Sequence, residues 1–412
     1  MKTISCLFLG LFSCQSFTQG PLSPKGYTAA GFESLLQIFQ ENFTQYGEEG
    51  AALVVYHQGE KIVDLQGGSD GYGAPFTSQS DGLWFSATKG IASLALARLH
   101  SQGLLDYDQR VAYYWPDFAQ GGKENITVRQ LLSHQAGVVL LPFPLKQEDF
   151  FQSHRLEEAL STAEPLWVPG QKHGYHAGTI GLYMNALHRR IDPQGRTIGA
   201  VIAQEWRPHL TGSFSIGTPD TQPPGVAKTK LLNPFLALFN THKMPPGMKE
   251  VVMDFSSLFF KSISLGGETD PNKSAFWAYE QPSGNGVGST SAVAEIYQAF
   301  LSDAPWMGIN SQTREVLFAP NPDPLGGPLD QVMNIPARYG LGFMRPDPLF
   351  TFSPSPRALG FMGLTSTLAF ADPDADLVFV YFTRKQGYYG VNDPREKRLR
   401  EEVYRIIAES SR

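Results

Sequence analysis

Apolar residues along the chain fall either at helical steps or in short β-prone runs, and the change from one to the other marks out its elements. Phe32, Leu35, Leu36, Phe39 and Phe43 step by three and four, which predicts one face of a helix. Ala51 to Tyr56 and Lys61 to Leu65 are instead short β-prone runs around a polar turn at Gln58-Gly59-Glu60, which predicts a hairpin. Pro21 to Gly26 before them reads as a linker, and Gly67 to Gly73 after them as a loop. The next helix turns Ala92, Ala95, Leu96 and Leu99 inward and stops at Gly103. Between about Asp106 and Gly284 the pattern is helical and interrupted by prolines. One helix starts at Thr127, placed as its cap, and others cover Leu156 to Leu160, Ile180 to Arg190 and Ile198 to Trp206. Thr211 to Thr229, rich in Pro, Gly, Ser and Thr, reads as an exposed loop. After Ser289 a helix through Ala292, Val293, Ile296, Phe300 and Leu301 precedes strands at Tyr339 to Met344, Ser366 to Ala371 and Leu377 to Phe382. Asp372-Pro373-Asp374 supplies a hairpin turn, and the charged helix Arg395 to Ile407 closes the chain.

Strands at both ends and helices between them predict an α+β fold. The two ends pair into one antiparallel sheet flanked by helices, and the middle is a helical insertion. The expected division is a leader at 1–20 and one domain at 21–412. Within that domain an α/β part covers about 27–105 and 285–412, and a mainly helical part about 106–284.

Composition narrows the class of function. Hydrophobic residues at 42% against charged ones at 17% exclude a disordered chain, and a net charge of −6 without long runs gives no footprint for nucleic acid. Lys2 followed by Ile4, Leu7, Phe8, Leu9, Leu11 and Phe12 reads as an export leader, too short to span a membrane. Leu11-Phe12-Ser13-Cys14 resembles a bacterial lipobox, so the alternatives are a lipidated, membrane-attached Cys14 or simple cleavage after about residue 16 to 20. Both cysteines, Cys6 and Cys14, fall in this leader. The histidines show no zinc-type spacing, and neither a metal nor any other cofactor is expected.

Three stretches carry candidate chemistry. In Trp84-Phe85-Ser86-Ala87-Thr88-Lys89 a lysine follows a serine by three residues, one helical turn away on the same face, close enough to assist removal of the serine proton. A Ser-x-x-Lys match arises about once by chance in a chain of this length. Here it is the only match, and its flanks are apolar, so Lys89 is expected to be partly buried. Tyr175 lies in the Gly-rich turn Gly174-Tyr175-His176-Ala177-Gly178 and by itself reads as a packed ring with a bonded hydroxyl. Gly360-Phe361-Met362-Gly363-Leu364 reads either as a β-bulge or as a backbone that approaches a substrate closely. His134 reads as a buried structural histidine, and Asn285 as a turn residue or a polar group of a pocket.

Together these stretches resemble the serine β-lactamase and penicillin-binding-protein superfamily, most closely its class C-like esterase branch. Further blocks extend the resemblance over nearly all of the chain after the leader: Ile126 to His134, Pro169-Gly170, Gly284 to Ser289, Tyr339 to Phe343 and Phe370 to Pro373. The resemblance implies a serine hydrolase in which Ser86 is acylated, Lys89 is its hydrogen-bonded partner and Tyr175 takes the position of the general base. It also implies an oxyanion hole formed by the amides of Ser86 and Leu364, with His176, Asn285, Phe361, Met362 and Gly363 lining the substrate pocket. Where lactamases have Lys-Thr-Gly, this chain has Phe361-Met362-Gly363, which removes the groups that hold a substrate carboxylate and points to small neutral esters or amides. A β-lactamase or D-amino-acid peptidase, and a non-catalytic binding or assembly protein of the same fold, remain as alternatives.

Overall fold

The computed structural model describes residues 22–151, 153–218, 225–233 and 239–410; the leader, with Cys6 and Cys14, lies outside the described residues. Strands β1 (Lys25–Thr28), β2 (Gly50–His57) and β3 (Glu60–Gly68) come from the start of the chain. Strands β4 (Asp81–Leu83), β5 (Phe214–Ile216) and β6 (Gly286–Ser289) lie between the two ends of the main sheet. Strands β7 (Tyr339–Gly340), β8 (Phe343–Met344), β9 (Leu359–Met362), β10 (Leu368–Asp372) and β11 (Leu377–Thr383) follow. The main sheet runs β1-β3-β2-β11-β10-β9-β8-β7, antiparallel throughout. Both chain ends thus meet at its centre, where β2 pairs with β11.

Burial follows from that order. The run Leu377 to Thr383 is buried on both faces, as expected of a central strand covered on both sides, whereas β1 at the edge is mostly exposed. One face packs Leu53, Val55, Leu368, Phe370 and Phe379 against the first helix (Ser34–Gln45) and the last (Pro394–Ser410). The other face sets Ala52, Val54, Ala369, Ala371 and Val380 with residues of two further helices, Thr88–Ser101 and Thr290–Leu301. From Thr88 to Leu99 every residue of the Thr88–Ser101 helix is buried. The expected inward stripe is therefore a helix enclosed on all sides, between the sheet and the helical middle of the chain.

A second sheet, β4-β6-β5, connects the two regions. It was not legible in the sequence, and β5 falls in the stretch expected to be an exposed loop; Phe214 and Ile216 are in fact buried. β1 likewise replaces part of the expected linker, because the edge of β3 offers it a backbone partner. The glycines of the Gly284 to Ser289 run have a steric reason. A side chain at Gly286 would come within 2.7 Å of the Thr88 hydroxyl, which itself accepts the Gly286 N–H at 3.0 Å. The expected cap at Thr127 forms a full capping box with Gln130.

Phe370 is fully buried between Phe352 and Phe379, so Phe370→Ala is expected to cost about 3–5 kcal/mol in denaturant unfolding. Tyr27→Ala, on the exposed edge strand, is expected to change stability by less than about 0.5 kcal/mol.

Candidate active site

Ser86 lies in a tight 3-10 turn, Phe85–Ala87, between β4 and the Thr88–Ser101 helix. Phe85 takes a left-handed φ of 44°, a conformation a bulky side chain adopts only where its surroundings enforce it. Trp84, immediately before this turn, is fixed by two bonds to β6, its amide donating to Gly286 O and its indole N–H to Gly288 O, both at 2.9 Å. The nucleophile turn is therefore anchored to β6 and leaves Ser86 as a part-exposed residue in an otherwise buried run.

Two side chains meet at the Ser86 hydroxyl. Tyr175 Oη donates to Ser86 Oγ at 2.6 Å, and Lys89 Nζ lies 3.1 Å from the same oxygen. Lys89 is buried, and its other two contacts are main-chain carbonyls, Ala177 O at 2.9 Å and Ser283 O at 2.6 Å. Among the described residues no carboxylate forms an ion pair with it. Burial without a counter-charge pushes the Lys89 pKa well below the ordinary lysine value. Burial also raises the Tyr175 phenol; its hydrogen bond to Ser86 opposes that shift, and the carboxylate of Asp330 adds to it. Both shifts favour neutral forms, an amine and a phenol either side of one hydroxyl.

Each contact has its own support. The Tyr175 ring stacks between Tyr339, 6.2 Å away at 6°, and Phe361, 6.0 Å away at 28°. Asp330, fully buried, accepts the amide of Tyr175 at 3.1 Å and the hydroxyl of Tyr339 at 2.9 Å, so one carboxylate aligns both rings. The sequence offered no signal for Asp330, an isolated acid in a loop. Ser283 was equally unmarked, although it stands beside the Gly-rich run.

The sequence-predicted pocket divides. Phe361 reaches the centre, with Lys89 Nζ 5.5 Å from its ring centroid. Met362, the next residue of β9, points to the opposite face of the sheet and packs in the cluster containing Leu35 and Leu399, because side chains alternate along a strand. It is not a pocket residue. Asn285 is not one either. It is buried, accepts the amide of Gln281 at 3.0 Å and donates to the carbonyls of Phe276 and Tyr279. The turn it staples is the one that presents Ser283 O to Lys89. His176 is wholly buried, donates its amide to His134 Nδ1 and pairs its ring with Gly174 O, so it lies in the packing behind Tyr175 instead of facing a substrate. Burial pushes its pKa down to about 4, and lowers His134 well below the usual range as well. Both rings are neutral structural groups.

Gly363 has a steric role. An added Cβ there would lie 2.5 Å from the carbonyl oxygen of Trp84, two residues before Ser86. Only glycine lets the turn after β9 pack directly on the nucleophile turn, and Leu364, 44% exposed, follows on that turn. Among the described residues no cluster of three or more His, Cys, Asp or Glu is arranged to hold a metal ion.

The depressed Lys89 pKa has a measurable consequence. A folded-state pKa below the unfolded value means that the unfolded chain binds more protons between the two, so this group's contribution to stability rises with pH across that window, which ends near 10.5. The unfolding free energy of the native chain is expected to gain on that of Lys89→Met between pH 7 and pH 9. Parallel pH curves for the two proteins would show an ordinary lysine.

Comparison with known proteins identifies the family of the chain. A family model described as Beta-lactamase matches residues 35–403. Esterase/beta-lactamase LipL of Mycobacterium tuberculosis is 29% identical over 353 residues, 84% of this chain and 80% of that protein. The crystal structure of a family VIII carboxylesterase superposes with a TM-score of 0.80 at 28% identity, covering 93% of this chain and 99% of the other. A penicillin-binding protein homolog from Caulobacter crescentus gives a TM-score of 0.80 at 31% identity, again covering 93% and 99%. With its mixed helix and antiparallel-sheet fold and its matches along nearly the whole domain, the chain belongs to the beta-lactamase family and is a serine hydrolase.

Proposed function

We propose that the chain is a carboxylesterase that cleaves small neutral esters through an acyl-enzyme on Ser86. The observation that carries this reading is the convergence of Tyr175 Oη and Lys89 Nζ on Ser86 Oγ at 2.6 and 3.1 Å. With Ala177 O and Ser283 O taking two amine hydrogens, the lone pair of a neutral Lys89 is directed at the serine hydroxyl. Lys89 then accepts the Ser86 proton as the oxygen attacks the ester carbonyl. Tyr175, kept as a phenol by burial, relays a proton to the departing alkoxide. The two titrations are coupled, so the pair acts as one acid–base unit. The amides of Ser86 and Leu364 stabilise the tetrahedral oxyanion, and water activated by the same pair releases the acid.

Specificity follows from Phe361. It stands where the related lactamases have the lysine of Lys-Thr-Gly, and its ring, packed beside Tyr175, offers no charge to a substrate carboxylate. Without that charge, neutral esters are favoured over carboxylate-bearing lactams or D-alanyl peptides. The name of the mycobacterial relative couples esterase with beta-lactamase, which keeps lactam hydrolysis as the second reading.

Short-chain p-nitrophenyl esters are expected to be hydrolysed with kcat/KM at least about tenfold above that for nitrocefin, a difference of about 1.4 kcal/mol in transition-state stabilisation. Ser86→Ala is expected to abolish ester turnover and labelling by a fluorophosphonate probe. Faster nitrocefin hydrolysis would favour the second reading, and ester turnover that survives Ser86→Ala would exclude the mechanism. The leader-like start supports export as well. N-terminal sequencing of protein recovered from its native host is expected to show Met1 and the apolar run removed, and a mature chain still beginning at Met1 would contradict export.

A further inference from the structure

We propose that Asp393 is a positioning residue for the oxyanion side of the active site, acting through Ser366. The inference rests on the reading that the Leu364 amide receives the oxyanion, and it names what holds that amide in place.

Leu364 belongs to the turn Gly363 to Thr367 that joins β9 to β10. The turn is closed by Gly363 N donating to Thr367 O at 2.7 Å and Ser366 N donating to Gly363 O at 3.1 Å. Ser366 occupies the left-handed region, with φ of 71°, where a residue with a side chain is rarely stable unless held. Its hydroxyl is buried and donates to Asp393 Oδ2 at 3.1 Å. That bond is the direct side-chain tie from this residue to the body of the protein.

Asp393 is itself immobilised. Arg395 donates to both of its carboxylate oxygens, from Nε at 2.9 Å and Nη2 at 2.9 Å, and the Arg395 amide adds a third bond at 3.0 Å. The same guanidinium reaches Glu48 Oε2 at 3.0 Å and Lys385 O at 3.0 Å. Glu48 in turn accepts the hydroxyls of Tyr381 and Thr383 on β11, each at 2.9 Å. All three charged residues are buried. Two carboxylates share one guanidinium, so the network holds a net negative charge whose spare acceptor capacity is directed at hydroxyls, including that of Ser366. A rigid bonded chain therefore runs from the sheet centre, through the start of the last helix, to the turn that carries Leu364. Ser86 is anchored separately, through Trp84 and β6, so the two oxyanion donors hang on different supports. Their separation is set by the contact of Gly363 with Trp84 on one side and, on the other, by two ties of the turn, Thr367 to Thr383 on β11 and Ser366 to Asp393.

The test is steady-state hydrolysis of a p-nitrophenyl ester by Ser366→Ala in the full chain, alongside its thermal midpoint. Ser366→Ala removes one hydroxyl and leaves the ion network intact. A misplaced oxyanion donor is felt mainly in the transition state, so kcat is expected to fall about ten- to hundredfold while KM stays within about twofold. Asp393→Asn, and the double variant, complete a cycle in which the double loss of kcat is expected to be no larger than the greater single loss. If Asp393→Asn fails to fold, Ser366→Ala alone decides. A kcat for Ser366→Ala within twofold of the native value, or a loss that tracks the unfolded fraction, overturns the inference. Native protein labelled by fluorophosphonate at Ser86 keeps the esterase reading in either case, whereas native protein that is neither labelled nor active removes that reading itself.

Discussion

A lysine held in the interior by main-chain oxygens organises this protein. Ala177 O and Ser283 O come from segments more than a hundred residues apart, and Lys89 bridges them at the first turn of a helix buried on every side. Burying an amine is costly unless it is deprotonated or fully bonded. The fold meets that cost with geometry instead of a counter-ion, and what remains is an amine of low basicity 3.1 Å from a serine hydroxyl. The turn at Gln281 to Asn285 supplies Ser283 O, the loop at Gly174 to Gly178 supplies Ala177 O and the Tyr175 hydroxyl, and β6 holds Trp84 just before the serine.

Lys123 shows that the geometry alone does not make a catalytic group. Its ammonium is also buried and donates to three carbonyls, those of Gln120, Ser161 and Ala163. All three acceptors there are main-chain oxygens, so the lysine is a staple. At Lys89 only two of the three neighbours are main-chain oxygens; the third is a hydroxyl that lies part-exposed beside a tyrosine, and that single replacement converts a staple into an acid–base partner.

The long elements were legible because their apolar patterns are strong. The hairpin β2–β3 and the strand β11 follow from β-prone apolar runs bounded by turn residues, and the first and last helices from apolar residues at helical steps. Short strands were not: β4 and β5 have three residues each, too few to show a period, and they are strands only because β6 runs between them. Within the site, Ser86, Lys89 and Tyr175 could be named because motif spacing marks them. Met362 was misplaced because a motif read as a linear word ignores the strand pleat, which turns Phe361 and Met362 to opposite faces. Asp330 and Ser366 act through bonds across long separations, to Tyr175 and Asp393, and no local pattern encodes such partners; Asn285, whose partners are all within nine residues, is the turn residue that the sequence offered as one of its two readings.

The central claim is that Ser86 carries the acyl group between the two half-reactions. Rapid-quench mass spectrometry of the native protein mixed with a slowly released ester tests it most directly. The account predicts a transient gain of one acyl mass on the peptide that contains Ser86, appearing with the burst of alcohol and decaying at the steady-state rate. Ester turnover with the acyl group on another peptide, or with no covalent intermediate under conditions where a burst is seen, would contradict it.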